Sequence, residues 1–319
     1  MDGQPARGTG AILVAGEALI DLVPAPGNVL SAHPGGGPYN VARTAARLGA
    51  PVAFLGRLST DRFGRLLARE LADDGVDLDA IVRTEDPTTL ALAEFDGDGS
   101  ARYRFYADGT SAAELTTRDT LRVAPERFSA LHIGTLGLVI EPMSTAIEAL
   151  VRSAPASMLV MVDPNCRPAA IADRAGYRRR VLRVLARADV VKVSDEDLEY
   201  LYPGRTPERA ADALLAEGPG LVLITRHARG AVVVTSAGAT AVPSRPVTVI
   251  DTVGAGDAFG GAFLAWWRNG GLGRGDLGRA DEVLEATRFA CSVAATVCER
   301  AGAVPPTRDE MLAQLDTSS

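Results

Sequence analysis

Only one of the 33 basic residues is lysine, Lys192, and it follows Val191 instead of closing a glycine-rich loop. A P-loop needs Gly-Lys-Ser/Thr, so any nucleotide phosphate must be held here without one. Cysteine is nearly as scarce. Cys166, Cys291 and Cys298 are too scattered for a disulfide framework and form no zinc-binding Cys-x-x-Cys pair. They read as small core hydrophobes, with Cys291 and Cys298 on one face of an expected helix. His33, His132 and His227 lie far apart, which removes the zinc-protease arrangement of paired histidines. No apolar run approaches the roughly 18 residues of a membrane span, and MDGQPARGTG has no signal-peptide core. A net charge of −7 speaks against a surface for nucleic acid or anionic lipid. With 47% hydrophobic and 23% charged residues over 319 positions, the chain has the composition to bury a sizeable core. The expectation is a soluble, cytoplasmic protein.

Short β-branched runs alternate with amphipathic stretches along most of the chain. Strands are expected at 11–16, 51–56, 130–134, 158–163, 190–194, 221–226 and 231–235. Helices are expected at 40–49, 63–75, 143–154 and 177–188. Near-continuous apolar strands separated by helices predict an α/β fold whose mainly parallel central sheet is covered on both faces. Ligands then bind beyond the carboxyl ends of the strands. Residues 17–34 and 88–107 instead alternate with period two and are broken by Gly, Pro and Asp. The second reads as a hairpin turning at Gly97-Asp98-Gly99. Both predict a small antiparallel layer inserted into one domain spanning 1–319, able to act as a lid.

The stretch DTVGAGDAF (251–259) lies between PVTVI (246–250), read as a strand, and AFGGAFLAWWRN (258–269), read as a helix. Gly254, Ala255 and Gly256 therefore fall in a first helical turn, whose backbone N–H groups have no partner within the helix. Tiny side chains let an anion approach those groups, and the helix dipole favours it. Asp257 follows at the mouth of this hole. A carboxylate there is placed to take a proton from a hydroxyl, and the pair suggests phosphoryl transfer. The plainer reading is that Asp257 only caps the helix. A second glycine cluster, GGGPYNVARTAARLG (35–49), opens another helix. With Asp21 it offers acceptors, amides and the Asn40 side chain to a polyhydroxylated ligand.

Together with GRLSTDRFG (56–64), these two glycine regions resemble, in order and spacing, the signatures of the PfkB (ribokinase-like) carbohydrate kinases, from about residue 12 to 306. The resemblance implies a ribokinase-like three-layer sandwich with a β lid, and a kinase that phosphorylates a sugar hydroxyl with ATP. Asp257 matches the catalytic base, and Gly254, Ala255 and Gly256 the anion hole. Asp21, Gly36, Gly37 and Asn40 match sugar-binding positions. Asp251, with Val253 and Gly302, matches a monovalent-cation site that usually holds K⁺. Mg²⁺ would come with ATP. The family's Asn-x-x-Glu reads Ser194-Asp195-Glu196-Asp197 here, which leaves Asp197 (through water) or Glu196 to organise Mg²⁺. The nucleotide loop reads Thr225-Arg226-His227-Ala228-Arg229-Gly230, with His227 in place of a glycine. Ser194, Thr225, Gly230 and Lys192 are the expected nucleotide-binding residues. A homodimer formed through the lid is expected, as relatives often form.

Fructose is the expected acceptor, because 131–142, 163–168 and 191–201 are similar to fructokinase segments. Arg167 is assigned to the sugar, with a structural ion pair to Asp163 as the alternative. The lid has Ala107 and Asp108 where fructokinases and ketodeoxygluconate kinases alike tend to place an arginine before a Ser-Ala pair. This disfavours a carboxylate, which wants a bidentate cation. The alternatives are a 2-keto-3-deoxygluconate kinase, a ribokinase or a nucleoside kinase, and, from another class, a non-catalytic sugar or nucleotide sensor.

Overall fold

Strand β1 (Ala11–Ala15) shows how the sequence builds the centre of the molecule. Its alternate residues Ile12 and Val14 belong to one apolar core, while Leu13 and Ala15 belong to another on the opposite face. A strand buried on both sides reads as a continuous apolar run, which is what AILVA is. The computed structural model describes residues 10–95 and 101–316. The expected turn at Gly97-Asp98-Gly99 lies outside them.

After β1 the chain forms β2 (Leu19–Ala25), β3 (Val29–Gly35) and helix α1 (Gly37–Arg47). Next come β4 (Val52–Leu55), β5 (Arg57–Ser59), α2 (Arg62–Asp73) and β6 (Val82–Thr84). Strands β7 (Leu90–Phe95) and β8 (Ala101–Tyr106) lead to the short α3 (Thr117–Thr120). An alternating series follows: β9 (Phe128–Gly134), α4 (Met143–Ser153), β10 (Leu159–Asp163), α5 (Arg174–Leu185), β11 (Val190–Ser194). It continues through α6 (Asp195–Leu201), α7 (Pro207–Ala216), β12 (Leu221–Thr225), β13 (Ala231–Thr235) and β14 (Gly238–Val242). Helices α8 (Ala255–Asn269), α9 (Ala280–Cys298) and α10 (Arg308–Asp316) complete the described chain.

Eight strands form the main sheet in the order β14-β13-β12-β11-β10-β9-β1-β4. All neighbours from β12 to β4 run parallel, and β13 and β14 add antiparallel strands at the edge. One face is packed by α1, α2, α8 and α9, where Tyr39, Leu67, Phe263 and Val293 are fully buried. Helices α4 to α7 cover the other, through Ile147, Val181, Leu198 and Leu214. The result is the expected three-layer sandwich. Because β9 and β4 flank β1 on opposite sides, the order reverses at β1, and the loops after β1 and β9 part to open a crevice.

A second sheet, β3-β2-β7-β8, stands apart from the main one. Each of its hairpins is antiparallel, but β2 and β7 join them in parallel, with Asp21 opposite Ala91. The expectation of a wholly antiparallel layer is corrected by that seam. Local hairpins are legible as alternation and turns, whereas a pairing between strands some 70 residues apart is not. The strand expected at 246–250 is absent. That segment has no regular secondary structure, and it lines the main cavity through Pro246, Val247 and Val249. Pro246 has no N–H to donate, and Val249 and Ile250 are exposed. The short strands β5, β6 and β14 carried too little pattern to be anticipated.

Candidate active site

The carboxyl ends of five parallel strands open on one cavity of about 840 Å³. Glu17 follows β1, Thr135 follows β9, Asp163 ends β10, Ser194 ends β11 and Thr225 ends β12. Helices α1 and α8 point their N-termini at the same space, and Tyr103 and Phe105 of β8 line it from the second sheet. Their rings stack with centroids 6.4 Å apart.

At the start of α8, Gly254 has φ 77°, the left-handed conformation that glycine adopts without strain. A Cβ there would also lie 2.5 Å from Ala303 Cβ. Gly254, Ala255, Gly256 and Asp257 all line the cavity, and the Ala255 amide donates to the Thr252 carbonyl at 3.2 Å. Asn40 donates from Nδ2 to Asp257 Oδ2 at 2.8 Å, joining the two glycine-rich helices. Asp257 is buried, and that burial raises its pKa above the usual carboxylate range. The Asn40 hydrogen bond, Lys192 and Arg167 pull the other way. A carboxylate with raised basicity, anchored at one oxygen, suits a proton acceptor better than a helix cap. It makes no capping hydrogen bond, because Gly254 is the N-cap residue.

Asp21 and Arg167 border the same end of the cavity. Burial and the charge of Asp257 push Asp21 up to about 7, and Arg167 opposes them. A Cβ on Gly35 would sit 2.1 Å from Asp21 Oδ2, so this cluster needs glycine for close approach to the acid. Arg167 does not pair with Asp163, whose Oδ2 instead accepts from Lys192 Nζ at 2.9 Å. Among the described residues Arg167 donates only to the Cys166 carbonyl, at 3.4 Å.

Ser194 and Asp197 form a reciprocal cap on α6. Asp197 Oδ2 accepts from the Ser194 amide and hydroxyl, and its Oδ1 accepts from the Cys166 amide at 2.6 Å. Glu196 is exposed and meets His227 Nε2 at 2.9 Å. His227 has φ 49°, so it keeps the left-handed backbone of a glycine position, and its exposed side chain lines the cavity beside Glu196. Thr225 donates to the Val193 carbonyl, and Gly230 (φ 88°) leaves no room for a Cβ beside Val242 O, 2.1 Å away. Asp251 accepts from the amides of Val253 at 3.0 Å and Gly302 at 2.9 Å, drawing these three residues together below the anion-hole turn.

Three groups have surroundings that the sequence does not show, although Asp163 is expected at the carboxyl end of its strand. Glu17 is fully buried and accepts from the amides of Gly37 (3.3 Å) and Gly137 (3.2 Å). Burial pushes its pKa up to about 8, and the charge of Asp257 adds to this. Asp163, buried behind the cavity lining, forms its pair with Lys192, which lines the cavity. His132 lies nearby, with both ring nitrogens unpartnered among the described residues. Burial and Lys192 lower its pKa to about 3, which keeps the ring neutral. A lone acid or histidine after an apolar strand has no pattern to signal it.

The model of the "pfkB family carbohydrate kinase" matches residues 11–310. A fructokinase of Rhizobium leguminosarum bv. trifolii is 37% identical over 258 residues, covering 80% of this chain and 78% of that protein. The crystal structure of a fructokinase from Xylella fastidiosa with bound ATP superposes with a TM-score of 0.89 at 29% identity, covering 97% and 99% of the two chains. A fructokinase double mutant from Vibrio cholerae O395, bound to fructose, ADP and a potassium ion, gives 0.83 at 26% identity, over 97% and 99%. A glycine-rich helix start beside a buried carboxylate thus lies in a chain matched along nearly its whole length, and the protein belongs to the pfkB family of carbohydrate kinases.

Proposed function

We propose that the acceptor is fructose and that the chain transfers the γ-phosphoryl group of ATP to one of its hydroxyls. The observation that carries this reading is the Asn40–Asp257 hydrogen bond, which sets the base between a glycine-rich sugar side and a glycine-rich anion hole. Asp257 takes the proton of the attacking hydroxyl. The sugar oxygen bonds to phosphorus as the bond to ADP breaks. The amides of Gly254, Ala255 and Gly256 stabilise the charge on the phosphoryl oxygens. Asp21, Asn40, Arg167 and the backbone of Gly36 and Gly37 hold the hydroxyls. Ser194, Thr225, Gly230 and Lys192 border the nucleotide.

Neutral sugar fits this site better than an acidic one. Glu17, Asp21 and Asp257 are all carboxyls around one end of the cavity, and Asp163 already engages Lys192. Arg167 already acts on Asp21 and Asp257, so a substrate carboxylate would find no unshared cation there.

Mg²⁺ belongs to this reading, where it would offset phosphate charge. Asp197 has both oxygens engaged by amides and can reach such an ion only through water, whereas Glu196 keeps an exposed carboxylate at the cavity edge. A monovalent cation, K⁺ first, would be held by the Asp251 carboxylate with backbone oxygens around Val253 and Gly302. Asp251 already gathers those segments, and its oxygens retain lone pairs. It would supply fixed positive charge behind the anion hole.

The second sheet, inserted into a single kinase domain, serves as the lid. Its closure keeps water from competing as acceptor. We infer a homodimer through the outer face of this sheet, opposite the face of Asp21 and Phe105, where Leu30 and Tyr106 are exposed. A cytoplasmic setting, where ATP is available, agrees with the three cysteines being free thiols. The test is kcat/KM for fructose, ribose, adenosine and 2-keto-3-deoxygluconate at fixed ATP. Fructose should lead, and a clear preference for the keto-acid would overturn the substrate assignment.

A further inference from the structure

Lys192 sits in β11 at a position where the neighbouring strand carries Leu223 in register. It faces the same core as Met161 and His132, and its side chain is only 4% exposed. Its ammonium donates to Asp163 Oδ2, while Asp163 Oδ1 has no partner among the described residues. One salt bridge thus engages only part of each group. A buried lysine–aspartate pair is seldom worth more than apolar residues of the same volume, so stability alone does not account for it.

Its position gives it a use. A Cβ on Gly256 would lie 2.9 Å from Lys192 Nζ, and the lysine lines the cavity beside the anion-hole turn. The ammonium therefore lies against the backbone whose amides face the transferring group. Glycine at 256 is what allows so close an approach. Burial lowers its pKa, but the carboxylates of Asp163, Asp197 and Asp257 outweigh this and raise it. His132 stays neutral beside it, leaving Lys192 as the fixed cation under the turn.

We propose that Lys192 is a catalytic residue whose ammonium contacts the phosphoryl group in transfer, and that Asp163 is a positioning residue aiming it. This rests on the kinase reading above and gives that site a charge which a P-loop lysine supplies in other folds. Lys192 keeps its proton throughout. The hydroxyl proton goes to Asp257, the new phosphorus–oxygen bond forms to the sugar, and the bond to ADP breaks. As charge moves onto the phosphoryl oxygens, the ammonium stabilises it together with the amides. A forked guanidinium is broader than an ammonium, which explains why arginine does not stand here in a chain otherwise built on arginine.

The experiment compares Lys192→Met, Asp163→Asn and the double variant for turnover, melting temperature, and ATP and ADP affinity. Lys192→Met should lower kcat by about 10²–10³-fold, the range for losing one such donor. It should weaken ATP binding while leaving ADP binding within about twofold, since ADP lacks the γ-phosphate. Removing both charges should restore the melting temperature and leave turnover as low as in Lys192→Met. If the lysine only neutralised Asp163, the double variant would regain near-normal turnover, and that result overturns the proposal. Unchanged turnover in Lys192→Met, or a double variant that fails to fold, overturns it too. The wild-type chain in the same assay reports separately on the kinase reading.

Discussion

Asn40 donates from Nδ2 to Asp257 Oδ2 at 2.8 Å, across 217 positions of sequence. That contact holds the Asp257 carboxylate by one oxygen, and no hydrogen bond to the other is made among the described residues. It also locks the first turn of α1 to that of α8, so the two glycine clusters act on one point. Asp257→Asn keeps the shape and removes the basicity. Turnover should fall about 10²–10⁴-fold with little change in melting temperature. Near-normal turnover would reduce Asp257 to a structural role.

The acid limb of the rate profile should lie above the ordinary carboxylate range, because burial raises the pKa of Asp257. Only the deprotonated base works, so activity falls as pH drops through that pKa. Arg167 opposes the rise. Replacing it by Met should move the limb of kcat/KM to higher pH, and an unmoved limb would show that the guanidinium does not act on the base.

Glu17 makes a stability prediction of opposite sign to the usual acid. Its folded pKa of about 8 stands above the ordinary carboxyl value of 4.5, so the folded state binds the proton more tightly. The stabilisation is complete below pH 4.5 and is lost as pH rises towards 8. Thermal melts from pH 5 to 8.5 should show Glu17→Gln losing less stability than wild type with rising pH. Parallel curves would mean that Glu17 is ionised in the folded protein at all these values.

Much of this site was legible because it is written in glycine. Gly254 and the 35–37 cluster mark places where backbone conformation or close approach forbids a Cβ, and such places leave a compositional trace. The core strands were legible for a similar reason, since two buried faces demand uninterrupted apolar runs. What stayed hidden was made by tertiary pairing. Lys192 and Asp163 meet because β10 and β11 are adjacent, with Val162 opposite Val191. Glu17 acquires its role from amides 20 and 120 residues away. The 246–250 segment had strand composition but lies along the cavity, where Pro246 and the lack of a partner strand kept it out of the sheet.

Gly254 and Gly271 separate backbone strain from crowding. Both have positive φ, 77° and 69°, but a Cβ at Gly271 meets nothing within 4 Å while one at Gly254 strikes Ala303. Alanine at either should cost about 1 kcal/mol of backbone strain. Only Gly254→Ala should also reduce kcat, by at least about tenfold, equivalent to about 1.4 kcal/mol at the transition state. Equal activities would mean that the turn need not be held in this shape.

Potassium should activate if the Asp251 site holds a monovalent cation. Rates in K⁺ should exceed those in Na⁺ or choline at equal ionic strength, and Asp251→Asn should abolish the difference. Equal rates in all three buffers would remove the cation from the account.

The most direct measurement follows ADP release by the wild-type chain with Mg²⁺-ATP, with and without fructose, together with the mass of the sugar product. The account predicts ADP only when fructose is present, one ADP for each fructose that gains a phosphoryl group, and both lost together in Asp257→Asn. ADP released at the same rate without sugar, or no phosphorylated sugar at all, would contradict it.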